Sequence, residues 1–266
     1  MHPIKLVVTD LDGTLLAPDT SISQDAVETI KELAKRNILF TFITGRPYTA
    51  ITRFTEQLLV SAPIVTCNGA VICDNETIMT RHSFSLQNLE LLMKSAASAG
   101  FTVLLFQDGT EYSMTETAWV RKRQSAGRSI PIKDRSAICW STETAEKVNI
   151  IADSDSQDLD AFSKLLKDAG THVSITRYVN TGCEIVAKGI CKAGGLRELC
   201  GILEINEENV LAIGDNENDC ELLSVAGVGA AVANAVLSTK MNADYVCKMP
   251  YTEGFIEAVK RFALSD

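Results

Sequence analysis

The sequence predicts an α/β protein: a doubly wound, Rossmann-like parallel sheet with an inserted α+β domain. Three observations lead to this fold class. Short apolar runs alternate with helical patterns at the start of the chain, this alternation stops in the middle, and it resumes towards the end. Strands that alternate with helices form parallel sheets, whereas longer and more mixed segments are typical of α+β domains. At 266 residues, the chain is long enough for two domains or one large one.

The first part of the chain shows strand–helix repeats. Strands are expected over residues 4–9, 38–43 and 64–67, and helices over residues 21–37 and 48–59. Ser23 can cap the first helix, and Val27, Ile30 and Leu33 form an apolar stripe at helical spacing. Repeats of this kind imply parallel strands joined by right-handed crossovers.

The segment from about residue 84 to residue 187 departs from this pattern. Within it, helices are expected over residues 86–99 and 159–169 and strands over residues 101–106, 147–152, 173–178 and 183–186, while residues 118–126 are ambiguous. The alternation then resumes, with helices expected over residues 192–201, 220–226, 235–242 and 254–263 and strands over residues 210–213 and 228–232. The middle segment is therefore predicted to be an insertion into the parallel-sheet domain.

Polar residues follow the C-terminal ends of four predicted strands. They are Asp10 and Asp12, then Thr44-Gly45-Arg46, then Asn68-Gly69, and last Asp215, Asn218 and Asp219. Because the carboxyl ends of parallel strands lie at one edge of the sheet, these residues are expected to surround one crevice. Each segment taken alone could equally be a turn, a helix cap or a solvated loop. Their combination favours a functional site.

The residue types in this crevice indicate phosphoryl transfer that is assisted by a metal ion. Asp10 and Asp12 are two residues apart, so on an extended chain both side chains point the same way and need a cation or a shared proton. Mg²⁺ prefers oxygen ligands, for which Asp10 and Asp215 are the natural side chains. A phosphoryl group needs donors around its oxygens, and the Thr44 hydroxyl, the Gly45 backbone N–H, the Lys192 ammonium and the Asn218 amide can supply them.

The motifs, in this order, resemble those of the haloacid-dehalogenase-like (HAD) hydrolase superfamily. The resemblance rests on Asp10-Leu11-Asp12-Gly13-Thr14-Leu15, Thr44-Gly45-Arg46, Lys192 and Gly214-Asp215-Asn216-Glu217-Asn218-Asp219. Asn68-Gly69-Ala70 and the insertion narrow it to the Cof-type phosphatases, which have a type IIB cap domain. The resemblance covers the whole chain. It implies a discontinuous catalytic core over residues 1–83 and 188–266 and an α+β cap domain over residues 84–187.

The resemblance also implies a role for each motif residue. Asp10 would be the nucleophile and a Mg²⁺ ligand. Asp12 would be the general acid and base, and its backbone carbonyl would contact the metal ion. Asp215 would be the remaining metal ligand. Asp219 would support the residues that contact the metal ion or the phosphate without contacting either itself. The other residues would bind the phosphoryl group or the substrate: Leu11 through its backbone N–H, Thr44, Gly45, Arg46, Lys192 and Asn218.

The expected function is a Mg²⁺-dependent phosphomonoesterase that hydrolyses small phosphorylated metabolites, with sugar phosphates as the expected class. Asp12 favours a phosphatase over a dehalogenase, because an alkoxide leaving group needs a proton. A phosphomutase of the same superfamily is the alternative, and a receiver-like signalling domain is disfavoured because it needs neither this length nor an insertion. The substrate is open: Asn180 and Glu184 of the insertion are candidates to reach it, although a structural role is as plausible.

The composition limits the partners. The net charge of −9 argues against a nucleic-acid surface, which would be basic. No apolar run approaches the roughly 18 residues that a membrane helix needs, and the first strand begins too early for a signal peptide, so a cytoplasmic location without membrane contact is expected. The eight cysteines lack C-x-x-C spacing and are expected to be mostly buried thiols. The sequence leaves the oligomeric state open.

Overall fold

The computed structural model describes residues 2–74, 77–153, 157–178 and 182–265. The chain divides into two compact units. The parallel-sheet unit contains residues Met1–Arg46, Ile51–Thr80 and Cys191–Asp266, and the antiparallel-sheet unit contains residues Pro47–Ala50 and Arg81–Ile190. The boundaries expected after residues 83 and 187 and the assignment of the units as catalytic core and cap remain predictions. No helix among the described residues is both long and apolar enough to cross a membrane.

A five-stranded parallel sheet forms the centre of the parallel-sheet unit. Its strands are β1 (Leu6–Thr9), β2 (Leu39–Phe42), β13 (Val210–Gly214), β14 (Val228–Ala231) and β15 (Tyr245–Val246), in the order β15-β14-β13-β1-β2. β1 is completely buried, as are the residues of β13, which explains why both strands are continuous apolar runs. A separate small sheet contains β3 (Ile64–Thr66), β4 (Val71–Asp74) and β5 (Thr77–Arg81).

The strand β3 extends the parallel arrangement beyond β2. Ile43 forms a parallel bridge to Val65, and the Thr44 N–H donates to the Val65 carbonyl at 2.9 Å. The C-terminal ends of β13, β1, β2 and β3 therefore lie side by side. This is the arrangement that brings the four polar segments of the sequence to one edge.

Six helices complete the parallel-sheet unit. They are α1 (Gln24–Lys35), α2 (Thr52–Gln57), α6 (Lys192–Leu203), α7 (Cys220–Val225), α8 (Leu237–Met241) and α9 (Tyr251–Phe262). Ser23 caps α1 as predicted, because its hydroxyl accepts from the Ala26 N–H at 3.1 Å. α9 packs against α1 and α6 packs against α7. The ring of Phe40 on β2 meets that of Phe255 on α9 edge to face, with 5.9 Å between the centroids.

The main sheet of the antiparallel-sheet unit has the strand order β11-β12-β10-β7-β8 among the described residues. These strands are β7 (Thr102–Gln107), β8 (Thr110–Ser113), β10 (Lys147–Ile151), β11 (Val173–Tyr178) and β12 (Gly182–Ala187). A second pair contains β6 (Phe84–Ser85) and β9 (Thr144–Ala145), and the helices are α3 (Glu90–Ser98), α4 (Ala118–Ser125) and α5 (Ser163–Ala169). One face of the sheet packs into an apolar core that includes Val148, Ile150 and Ile185.

The fold class is as predicted, and the differences are local. The helix expected over residues 48–59 is shorter, because Pro47 is followed by a 3-10 turn at Tyr48–Ala50 before α2 begins. The ambiguous residues 118–126 form α4, which Thr117 caps. The strands β4, β5, β6, β8, β9 and β15 were not predicted, since they are short and several carry polar residues that hide an alternating pattern.

Candidate active site

Three carboxylates converge at the edge of the parallel sheet. Asp10 directly follows β1, and its N–H continues the strand pairing by donating to the Ile213 carbonyl at 2.9 Å. Asp215 directly follows β13, the neighbouring strand, and Asp219 lies one turn further on. One oxygen from each of Asp10, Asp215 and Asp219 lies within 4.8 Å of the others. The adjacent positions of β1 and β13 therefore create an acidic cluster, which contains Asp219 and not the predicted Asp12.

Lys192 neutralises part of this cluster. It is the first residue of α6, is 1% exposed, and donates from Nζ to Asp10 Oδ1 and to Asp219 Oδ1, at 2.7 Å in both cases. A buried ammonium needs a partner of opposite charge, and here it has two. Lys192 thus fixes the orientation of the Asp10 carboxylate.

The electrostatics of the cluster show an excess of negative charge. Burial raises the pKa of Asp10 above its ordinary value, against the opposing effect of Lys192, with Asp219 and Asp215 adding to the rise. Burial also raises the pKa of Asp215, to about 6. Burial alone would lower the pKa of Lys192, but the carboxylates of Asp10 and Asp219 raise it above its ordinary value. A cation placed between Asp10 and Asp215 would relieve this repulsion.

The donor set fits Mg²⁺. Carboxylate oxygens are hard ligands, and Mg²⁺ commonly takes one or two of them and keeps several waters. The oxygens of Asp219 are already engaged: Oδ1 accepts from Lys192, and Oδ2 accepts from the Asp215 and Asn216 N–H groups at 3.0 Å. Asp10 and Asp215 are therefore the better ligands, and Asp219 holds the loop between β13 and α7 in shape.

The loop after β1 packs closely against the Asp215 side chain. Gly13 has a φ of +90°, and a Cβ on it would lie 2.4 Å from Asp215 Oδ2. The buried hydroxyl of Thr14 donates to Asp215 Oδ1 at 2.6 Å. Asn234 holds the loop from the other side, because its Nδ2 donates to the Gly13 carbonyl at 2.7 Å. The position of Asp215 thus depends on the loop after β1, which Asn234 supports in turn.

Asp12 is not one of the three clustered carboxylates, although its charge contributes to the raised pKa of Asp215. The Asp12 side chain is 51% exposed and forms a two-pronged ion pair with Arg46, in which Arg46 Nε donates to Asp12 Oδ2 at 2.6 Å and Nη2 pairs with Oδ1. The guanidinium also lies over the ring of Phe54, 5.3 Å from its centroid. The expected contact of Arg46 with phosphate or substrate remains a prediction, and its guanidinium lies against Asp12 and Phe54.

The predicted phosphate-binding residues border the same edge. Thr44 is 1% exposed, and its hydroxyl accepts from the Arg46 N–H at 3.1 Å, which leaves the hydroxyl proton for another acceptor. Gly45 follows it in the loop after β2. Leu11 is completely buried, and the contact of its backbone N–H with phosphate remains a prediction. Asn218 is partly buried and reaches towards Asn68, the residue two positions beyond β3.

A family model of the haloacid dehalogenase-like hydrolases matches residues 7–259. The chain belongs to this family.

Relatives of this hydrolase support the same assignment. The phosphoglycolate phosphatase of Methanoculleus marisnigri is 29% identical over 261 residues, which cover 97% of each chain. The crystal structure of a haloacid dehalogenase-like hydrolase from Bacteroides thetaiotaomicron is similar at a TM-score of 0.83 and 25% identity, covering 97% of this chain and 99% of that one. The structure of a HAD subclass IIB sugar phosphatase is also similar at a TM-score of 0.83, with 20% identity. The match covers 98% of this chain and 100% of that chain, and it supports the fold.

These comparisons confirm the predictions of the family, of the fold class and of a hydrolase of the phosphatase type. The roles of individual residues remain proposals. Thr14, Asn68 and Asn234 were not given roles in the predicted site, although each makes a contact described above. Thr14 stands in the first motif and Asn68 follows a strand, so both carried a signal in the sequence.

The two candidates in the insertion have different outcomes. Asn180 lies outside the residues that the structure describes. Glu184 on β12 is 2% exposed and forms an ion pair with Lys147 on β10, which is 3% exposed. A buried, paired carboxylate is consistent with the structural role that the sequence left open.

Proposed function

We propose that this haloacid dehalogenase-like hydrolase is a Mg²⁺-dependent phosphomonoesterase that acts through an aspartyl-phosphate on Asp10. The observation that carries the proposal is the position of Lys192, which bridges Asp10 and Asp219 beside Asp215. Lys192 supplies one positive charge against three clustered carboxylates, so it leaves negative charge that a bound cation would neutralise. A site for a cation and a phosphoryl group explains both features.

Asp10 and Asp215 would hold the magnesium ion, which would neutralise charge on the phosphoryl oxygens when bound. An Asp10 oxygen would attack phosphorus in line with the ester oxygen, and the phosphorus–ester oxygen bond would break. Lys192 keeps the carboxylate from rotating, since it holds Oδ1. The Thr44 hydroxyl and the Gly45 N–H would donate to the phosphoryl oxygens, and water would then hydrolyse the aspartyl-phosphate.

Asp12 would protonate the leaving alkoxide and later take a proton from the attacking water. It suits this role because it is more exposed than Asp10 and lies outside the lysine-bridged cluster. Arg46 would act as the residue that positions Asp12 through its two-pronged ion pair. This ion pair holds the ionised form of Asp12, the form that would act as the base in the second step, and the pair would open when Asp12 carries the proton for the leaving alkoxide.

The proposed substrates are small phosphorylated metabolites, with sugar phosphates as the first class to test. The relative described above is a phosphoglycolate phosphatase and one structural neighbour is a sugar phosphatase. Both names point to small phosphate esters, while they differ in the rest of the substrate. A cytoplasmic location belongs to the proposal, since all eight cysteines are free thiols, as suits a reducing compartment.

A phosphate-release screen tests the proposal. The panel contains sugar phosphates, phosphoglycolate, nucleotides, flavin mononucleotide and pyridoxal phosphate, with Mg²⁺ and no bisphosphate activator, so that release also separates a phosphatase from a phosphomutase. Asp10→Asn should abolish turnover, whereas the exposed Asp168→Asn should leave it unchanged. Appreciable activity of Asp10→Asn would refute the role of Asp10.

Asp12→Ala provides a second, independent readout. Loss of a general acid costs about 10²–10⁴-fold in rate when the leaving group needs a proton. The loss should therefore be smaller for an activated aryl phosphate than for an alkyl phosphate. Equal losses for both ester types would contradict the role of Asp12 as the proton donor.

A further inference from the structure

Asn68 occupies an unusual backbone position beside the proposed phosphate site. It lies two residues beyond β3, is 8% exposed, and adopts the left-handed conformation with φ 56° and ψ 33°. Its N–H donates to the Thr44 carbonyl at 3.0 Å. Asparagine accepts this conformation more readily than most residues. The turn thus delivers the Asn68 side chain to the loop that carries Thr44 and Gly45.

The Asn68 side chain connects two segments that are proposed to bind phosphate. Asn218 Nδ2 donates to Asn68 Oδ1 at 3.1 Å. The same oxygen lies 3.2 Å from the point where a Gly45 Cβ would be, so the amide of Asn68 packs directly against Gly45. Gly45 follows β2 and Asn218 follows β13, and β1 lies between these two strands in the sheet.

The amide of Asn218 depends on this contact. Within the described residues, Asn68 is the hydrogen-bond partner that the structure gives to Asn218 Nδ2, and Asn218 Oδ1 is buried without a partner. When a buried amide group has a single hydrogen-bond partner, that one hydrogen bond determines its orientation. The second Nδ2 hydrogen of Asn218 remains for a ligand acceptor.

We propose that Asn68 is a positioning residue for phosphate recognition: it orients the Asn218 amide beside Gly45, so that Asn218 and Gly45 donate to the same phosphoryl group. This inference rests on the proposed phosphate contacts of Asn218 and Gly45. Asn68 itself need not touch the substrate. Its effect is to fix donors from two strand ends before phosphate binds, which lowers the cost of ordering them on binding.

The variant Asn68→Gly separates the role of the Asn68 side chain from that of the left-handed backbone turn. Glycine adopts the left-handed conformation without strain, so the variant removes the side chain and keeps the turn. Asn37→Gly is the matched control, because Asn37 is also left-handed, at φ 57°, and is exposed. Both variants should unfold at similar temperatures. Binding of inorganic phosphate in the presence of Mg²⁺, measured by titration calorimetry, should be about tenfold weaker for Asn68→Gly and unchanged for Asn37→Gly.

A double-mutant cycle with Asn218→Ala identifies the pathway of the effect. If Asn68 acts by orienting Asn218, the double variant should bind phosphate with nearly the same affinity as Asn218→Ala alone. Effects that multiply would mean that Asn68 acts independently of Asn218 and would overturn the inference. Unchanged phosphate affinity in Asn68→Gly would overturn it as well.

The failure of this inference can be told from the failure of the proposed function. If wild type releases phosphate and Asp10→Asn does not, the function stands, and the phosphate affinities of Asn68→Gly and Asn37→Gly decide the inference alone. If wild type neither hydrolyses any ester of the panel nor binds phosphate, the proposed function fails and the inference fails with it.

Discussion

The turn at Gly13 gives the sharpest test of the proposed metal site. Gly13→Ala introduces a single methyl group at a residue with a φ of +90°. That methyl would lie 2.4 Å from Asp215 Oδ2, whereas ordinary van der Waals contact begins near 3.4 Å. The Asp215 carboxylate would therefore have to move by about 1 Å, the difference between these distances. The backbone strain of a left-handed alanine adds about 1–2 kcal/mol.

Gly127→Ala is the matched control for the backbone strain of an alanine at positive φ. Gly127 has a φ of +89°, and nothing lies within 4 Å of the position of its Cβ. The two variants should therefore lose similar free energy of unfolding, about 1–2 kcal/mol each from the backbone. Any larger effect of Gly13→Ala on activity must come from the displaced carboxylate.

The assays are urea unfolding, Mg²⁺ titration and phosphate release. A misplacement of about 1 Å at a reacting group can cost about 10²-fold in rate, so Gly13→Ala should lose at least that much kcat and should require more Mg²⁺ for half-maximal activity. Gly127→Ala should keep both values. The reasoning is refuted if Gly13→Ala retains wild-type kcat and Mg²⁺ dependence, or if Gly127→Ala loses as much activity as Gly13→Ala.

Two further predictions concern the charges of the site. Lys192→Met leaves Asp10 and Asp219 buried without their ammonium partner, and we expect a loss of about 3–5 kcal/mol in the free energy of unfolding; an unchanged urea midpoint would contradict the buried ion bridge. Burial raises the pKa of Asp215 from 3.8 to about 6, so this carboxyl stabilises the metal-free fold fully below pH 3.8 and that contribution is lost as pH rises through about 6. Because Mg²⁺ binds the ionised form, its effect on Tm should be larger near pH 7.5 than near pH 5, and equal shifts would count against Asp215 as a ligand.

Much of the site could be predicted because its residues follow buried strands. Asp10, Thr44 and Asp215 each come directly after, or two residues after, a short apolar run, and parallel strands place such residues at one edge. Lys192 was named as a candidate phosphoryl donor and received its role beside Asp10 through the resemblance, but a lysine at the start of a helix carries no signal of burial. Its 1% exposure follows from the acidic partners that the fold brings to it.

Contacts between distant segments could not be predicted from local patterns. The Asn68–Asn218 bond joins residues 150 positions apart, and the Thr14–Asp215 bond joins residues 201 positions apart. Strand order alone does not specify which side chains meet across a loop, because that depends on turn geometry and on left-handed residues such as Asn68. The short strands of the antiparallel-sheet unit were missed for a related reason: two-residue strands have no measurable periodicity.

The buried ion pair between Lys147 and Glu184 bears on the part of the function that the sequence left open. These residues lie on neighbouring antiparallel strands, with Glu184 paired in register with Asn149. Removing one partner, as in Glu184→Leu or Lys147→Met, leaves the other charge buried and should cost about 3–5 kcal/mol of stability.

The double variant Lys147→Met/Glu184→Leu replaces both charges by apolar groups of similar size, so we expect it to be more stable than either single variant. Its activity then separates two roles for Glu184. If the double variant regains both stability and wild-type kcat/KM across the panel of phosphate esters, the pair is structural. If stability returns while kcat/KM falls for some esters and not for others, one or both charges contribute to the choice of substrate. A double variant less stable than both single variants would show that the pair contributes net stability, contrary to the desolvation argument on which this prediction rests.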